Sequence, residues 1–117
     1  MDLKECYTSI GADYEEVVRR FTREGRVDHF LELFLWDQSF AKLCGAMDAG
    51  DTEDALQQAY MVKGISMSLG LAELTTASSG LTEDLRLGKM DDHTLQCFEK
   101  VRTTYLRTVE AVKEHLS

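Results

Sequence analysis

Proline occurs nowhere in the 117 residues, so no ring interrupts a helix by removing a backbone donor. Helix ends must then be set by glycine and by N-capping side chains. Gly11, Gly25, Gly50 and Gly88 fall between segments of helical periodicity, and Asp13, Asp37, Asp51 and Asp91 stand just upstream of new segments as caps. Runs that alternate polar with β-branched residues are missing, so no strand is predicted. The pattern predicts helices over about Leu3–Ile10, Tyr14–Arg23, Val27–Trp36, Ser39–Ala49, Thr52–Leu69, Ala72–Leu87 and Asp92–Leu116.

In the last of these segments Leu95, Phe98, Val101, Tyr105, Val109, Val112 and Leu116 recur at helical spacing and form one apolar stripe. Leu74, Ala77, Leu81 and Leu85 form another in the segment before it. Three long amphipathic segments joined by connections of a few residues favour antiparallel neighbours, and a helical layer from the N-terminal half supplies a fourth. The expected fold is all-α: an antiparallel up-and-down four-helix bundle over residues 26–117, with additional short N-terminal helices over residues 1–25, forming one domain. A chain of this length buries roughly two-thirds of its unfolded surface and needs no metal or disulfide staple.

A net charge of −8 leaves no basic stripe for phosphates, which argues against nucleic acid and anionic membrane surfaces as partners. The longest apolar run, Phe30 to Trp36, is broken by Glu32 and is too short to span a bilayer. Most of that run is expected in the core, with one or two residues at the edge of the contact patch on the Thr52–Leu69 helix. The N-terminus has neither a basic n-region nor an apolar h-region, so a cytoplasmic protein is expected. Cys6, Cys44 and Cys97 are widely spaced and read as buried or half-buried free thiols. They and the acidic residues show no metal-ligand spacing, and no nucleophile elbow, phosphate loop or dinucleotide fingerprint is present. No enzyme activity, cofactor or metal is expected.

The Thr52–Leu69 segment carries the most information. Asp51, Glu53 and Asp54 place a cap and negative charge at the positive end of its dipole. Stepping about 100° per residue puts Ala55, Ala59, Val62, Ile65, Ser66 and Leu69 on one face, the natural core face. The opposite face holds Leu56, Gln57, Tyr60, Lys63, Gly64 and Met67. Apolar and aromatic residues stand there where a solvated helix carries charge, beside a mid-helix glycine that costs about 1 kcal/mol relative to alanine. Such a face suits close approach by another molecule's backbone, with the lysine reaching an anion.

The stretch Ala59-Tyr60-Met61-Val62-Lys63-Gly64, followed after four residues by Leu69-Gly70, resembles the signature of histidine-containing phosphotransfer (HPt) domains of bacterial phosphorelays. That signature reads A-H-x-[L/V]-K-G, four residues, then [L/I]-G. The preceding MDAGDTEDALQQA and the following LAELTTASSGLTEDLRLGK resemble the flanking helices, so the resemblance covers roughly Val27 to Leu116. It implies a four-helix bundle whose active helix presents one histidine to solvent and is docked by receiver domains of response regulators or by a sensor kinase.

The histidine position is Tyr60. Neutral imidazole is a good nitrogen nucleophile near neutral pH, whereas a phenol with an ordinary pKa near about 10 is a poor one, and its phosphate ester is too stable to hand onward. The remaining histidines, His29, His93 and His115, are not followed by the lysine-glycine pair, and read as a surface imidazole, a cap-adjacent polar residue and a helix C-terminal residue suited to the dipole. The first expectation is an adaptor that binds receiver domains or a kinase without carrying phosphate, through Leu56, Gln57, Tyr60, Lys63, Gly64 and Met67. A second is an active phosphotransfer protein whose histidine Tyr60 replaces, and a third a helical interaction module with no tie to phosphorelays.

Overall fold

The computed structural model describes all residues, Met1–Ser117. It is all-α, with α1 (Leu3–Ser9), α2 (Tyr14–Phe21), α3 (Glu24–Trp36), α4 (Ser39–Asp48), α5 (Thr52–Ser68), α6 (Ala72–Arg86) and α7 (Asp92–Leu116). At 1.5 Å per residue α7 is about 37 Å long, and it sets the 40 Å dimension of a particle 22 by 19 Å across. Helix α5 packs between α4 and α6, α6 packs on α7, and α1 and α3 lie against α7 with α2 beside them. No helix is long and apolar enough to cross a membrane.

The helix starts follow from capping chemistry. Asp13, Asp51 and Asp91 each accept a backbone N–H of the first turn, at 3.0, 3.1 and 3.0 Å, and Thr94 returns the bond to Asp91 in a capping box. Asp2 does the same for α1, bonding Glu5 N–H at 2.8 Å. Asp37 departs from expectation. It ends α3, and its carboxylate takes the Ser39 N–H at 2.9 Å, leaving Gln38 as the N-cap of α4. Gly11, Gly50 and Gly88 take positive φ in the connections, but Gly25 lies inside the first turn of α3, and the chain turns instead at Thr22, φ 71°.

One apolar core draws on every helix. Leu3, Cys6 and Tyr7 of α1 and Val17 of α2 are as fully buried as Leu81 of α6 and Val101 and Val112 of α7. Phe40 of α4 stacks on Tyr105 of α7 at 4.0 Å between centroids, and Phe34 of α3 reaches the same ring at 5.5 Å. The α6 stripe is buried at Leu74, Leu81 and Leu85 and half-buried at Ala77. The α7 stripe fails at its start: Leu95 is exposed, and Thr94 takes the buried position because its hydroxyl is held by Asp84 at 2.9 Å.

The N-terminal helices close the end of α5. The Tyr7 hydroxyl donates to the Leu69 carbonyl at 2.6 Å, the Asp13 N–H to the Gly70 carbonyl at 2.9 Å, and Arg20 Nη1 to the carbonyls of Met67 and Ser68, both at 3.0 Å. These are the acceptors that a helix C-terminus leaves without intrahelical donors. Gly70 has φ 67°, and a Cβ there would stand 3.1 Å from the Asp13 carbonyl oxygen and 3.4 Å from Val17 Cβ.

At the other end of the chain His115 is nearly buried. Its Nε2 lies 2.6 Å from the Asp28 carboxylate and its Nδ1 3.0 Å from the Met1 carbonyl. Both partners are acceptors, so the ring satisfies both only as imidazolium. His115 is therefore a clamp between α7, α3 and the N-terminus, not simply a residue suited to the helix dipole. Burial lowers its pKa, but the bonds to Asp28 and Met1 outweigh burial and hold it above the ordinary histidine value.

Two measurements follow. Gly70→Ala meets both a left-handed φ and a close backbone, so it lowers the urea unfolding free energy by roughly 1–3 kcal/mol; a change within experimental error would mean that α2 does not seat against this turn. For His115 the raised folded-state pKa means its contribution is complete below the unfolded value of about 6.5 and is lost as pH rises through the folded value. As pH rises past about 6.5, thermal unfolding midpoints of the native chain therefore fall more steeply than those of His115→Gln. Parallel profiles would show that the clamp carries no proton-linked stability.

Candidate functional site

Helix α5 starts at the Asp51 cap, carries Glu53 and Asp54 in its first turn, and buries Ala55, Ala59, Val62 and Ser66. Ile65, expected on the core face, is half-buried. Ser66 is accommodated in the core because its hydroxyl bonds the Lys63 carbonyl at 2.8 Å and the Thr75 hydroxyl at 2.9 Å. Three of the four buried side chains are small, so α4 and α6 approach closely and the bulky residues of α5 are left outside. Tyr60 is 46% exposed and Met67 53%; Gln57 and Gly64 are also exposed, Lys63 is half-buried, and Leu56 is half-buried with its side chain against the core. Leu56 therefore borders the face more than it forms its centre. Met61, 51% exposed, belongs to the same face and was not among the residues expected there, although its position one step of about 100° from Tyr60 made it legible.

The face has two different borders. Toward α6 it is charged. Arg86 donates to Glu83 at 2.8 Å, and that bond, then the Arg86 charge and more weakly the Lys63 charge, hold the Glu83 carboxyl below its ordinary pKa. Tyr60 lies within electrostatic reach of Arg86. The ion pair is exposed, so it shapes the local potential and adds little stability. Toward α3 the border is apolar: Phe21, Phe30, Leu33, Phe34 and Ile65 line a groove of about 420 Å³, with the rings of Phe21 and Phe30 5.0 Å apart.

Two residues of the Phe30–Trp36 run, Phe30 and Leu33, thus stand at the edge of the face, but less of the run is core than expected. Leu31 and Phe34 are buried and Leu35 half-buried, but Phe30, Leu33 and Trp36 are exposed, Trp36 by 74%. Helix α3 has a core on one side only, so a run that is apolar nearly all round must leave part of itself in water. Phe30 and Leu33 line the groove together with Ile65 and Leu69 of α5, whereas Trp36 lies apart, beside Lys113 and Leu116 of α7.

No histidine lies on the α5 face. His29 is exposed on α3 against the edge of Phe30, with ring centroids 5.4 Å apart. His93 sits in the first turn of α7, its Nδ1 2.7 Å from Asp84 Oδ2 and 3.8 Å from Cys97 Sγ. The bond to His93 outweighs burial and, with the Thr94 bond, holds the Asp84 carboxyl below its ordinary pKa. Burial, then the Asp84 charge, push the Cys97 thiol up. All three cysteines are free; Cys6 is buried and its thiol is pushed up to about 11, chiefly by burial. The convergence of Asp84, His93 and Cys97 was missed in the sequence, where Cys97 showed no metal-ligand spacing, because Asp84 and His93 are separated by the α6–α7 turn. The four-residue spacing of His93 and Cys97 on one helix was the available signal.

Comparison with protein-family models, with curated proteins and with solved structures gives no match for this chain. The site is therefore argued from its own geometry. Its chemistry is that of contact: aromatic and thioether surface, one lysine, and a stretch of bare backbone at Gly64.

Gly64 has helical backbone and open space around an added Cβ. Gly64→Ala thus raises the thermal unfolding midpoint, by the equivalent of roughly 0.5–1 kcal/mol. A lowered midpoint would mean that the isolated chain itself requires glycine at this position.

Proposed function

We propose that this chain is an HPt-like four-helix bundle, built by α4 to α7 with α3 alongside, that acts in the cytoplasm as an adaptor for two-component signalling. It binds receiver domains of response regulators, or a sensor kinase, and carries no phosphate. The observation that carries the reading is a phosphorelay signature complete except at its nucleophile. The signature residues divide by burial as such a role needs: Ala59, Val62 and Leu69 are buried, Gly70 makes the turn, and Tyr60 and Gly64 are open. The phenol ring offers a flat contact with a polar tip. Lys63, with Arg86 behind it, supplies positive charge where a receiver's carboxylate cluster arrives. The groove at Phe30 and Leu33 extends the apolar contact beyond α5.

Calorimetric titration against receiver domains and kinases encoded in the same genome tests the adaptor role. Binding to at least one is expected, with Tyr60→Ala and Lys63→Glu each weakening it by about tenfold or more, the equivalent of about 1.4 kcal/mol. Gly64→Ala is expected to weaken binding while stabilising the free chain. Failure to bind any of them would overturn the adaptor reading in favour of a helical module unrelated to phosphorelays. In parallel, radiolabelled phosphotransfer should leave no acid-labile label on the native chain; a label there would show that another histidine carries phosphate. Label on the Tyr60→His variant would show that the scaffold still supports relay.

A further inference from the structure

Away from the α5 face, three side chains of different chemistry converge across the α6–α7 turn. Asp84 comes from the last turn of α6, and His93 and Cys97 from successive turns of α7. One ligand atom from each lies within 4.8 Å of the other two. A hydrogen-bonded His–Asp clasp alone would account for Asp84 and His93 and would make no use of Cys97. A catalytic relay does not account for it either, because the carboxylate and the sulfur both approach the same nitrogen, Nδ1, leaving Nε2 out of the chain of contacts. Three donor atoms of the kinds that ligate a transition metal, gathered from two helices, suit a bound cation.

The separations lie near those that such a site needs. Bonds of about 2.0–2.3 Å from a tetrahedral zinc-class ion to N, O and S set ligand atoms roughly 3.4–3.6 Å apart. The Nδ1 to Sγ separation is 3.8 Å and the Nδ1 to Oδ2 separation 2.7 Å. The third separation, Oδ2 to Sγ, lies within 4.8 Å, so seating an ion requires Nδ1 to draw back from Oδ2 and the Cys97 side chain to turn toward both. Asp84 is 6% exposed and already oriented by the Thr94 hydroxyl at 2.9 Å, the outer bond that holds a ligand carboxylate in place.

We propose that Asp84, His93 and Cys97 form a binding site for one divalent transition-metal ion of the zinc class, with water in the fourth position. Sulfur and imidazole donors select such ions over calcium and magnesium, which prefer all-oxygen sites. Binding displaces the Cys97 thiol proton to solvent. The Nδ1 proton that His93 donates to Asp84 also leaves, passing through solvent, and the neutral ring carries its one proton on Nε2, so that Nδ1 exchanges its bond to Asp84 for one to the metal. The ion would tie the end of α6 to the start of α7.

Titration of the full chain with cobalt(II) tests the site, because a thiolate ligand gives a near-ultraviolet charge-transfer band and a tetrahedral site gives intense visible d–d bands. The expected result is saturation at one ion per chain, reversed by added zinc. Cys97→Ser should abolish the charge-transfer band, and His93→Gln should weaken binding by about tenfold or more. Cys44→Ser should change nothing. Circular dichroism checks that each variant keeps its helices; both replaced side chains reach solvent and tolerate the change. No charge-transfer band from the native chain, a band that survives in Cys97→Ser, or unchanged affinity in His93→Gln would each overturn the proposal. None of these outcomes depends on whether receiver domains bind the α5 face.

Discussion

The end of α5 is where the fold is tied together. Four consecutive carbonyls, Met67 to Gly70, receive donors from α1, from the α1–α2 connection and from α2: the Tyr7 hydroxyl, the Asp13 N–H and the Arg20 guanidinium. The Ser66 carbonyl takes the Leu71 N–H at 2.9 Å as the chain reverses into α6. Without the Tyr7 hydroxyl the buried Leu69 carbonyl would be left unpaired at about 1–3 kcal/mol, whereas the carbonyls of the exposed Met67 and Ser68 could take water in place of Arg20. Here partners up to 62 residues away in sequence supply the donors. The N-terminal helices therefore hold α5 in place, and their apolar residues belong to the same core as those of α7.

Fixing that end also fixes the rotation of α5. With Leu69 buried and Gly70 pressed against α2, the helix can place only one stripe toward α4 and α6, and that stripe is mostly of small residues. The large side chains Tyr60, Met61 and Met67 are then left on the open side. Their exposure follows from the packing of the opposite face, not from local mobility. The charged border at Glu83 and Arg86 and the apolar border at Phe30 and Leu33 come from two neighbouring helices, and the face between them exists only once all three are assembled.

The division between what could be read in the sequence and what could not follows the range of the interactions. Helix positions are local matters of caps and periodicity, and in a chain without proline they emerge within a few residues of the expected bounds, α7 with none to spare. The buried face of α5 was legible for the same reason. Periodicity tells which side of a helix is apolar but not whether anything covers it, so Phe30, Leu33 and Trp36 are all exposed in a run expected to be mostly core, and Leu95 on α7 is exposed where its stripe placed it in the core. The His115 clamp joins residues 87 and 114 apart, and the Asp84–His93–Cys97 cluster depends on how one turn is closed. Neither leaves a mark in the spacing of residues along a single helix, beyond the four-residue step from His93 to Cys97.

The glycines show how far stability alone explains this chain. At Gly70 the backbone requires glycine, since φ is positive and two neighbours crowd the missing side chain. At Gly64 nothing in the isolated molecule requires it, and alanine would make the better helix. Gly25, Gly45 and Gly80 are equally unconfined, so open space by itself singles out none of the four. What distinguishes Gly64 is its company: it lies on the one exposed stripe that also presents Tyr60, Met61 and Met67, next in sequence to Lys63. A helix that forgoes stability there leaves its backbone bare in the middle of an aromatic and thioether surface. That combination suits the adaptor role proposed above, in which another molecule's backbone or side chain comes within contact distance of α5.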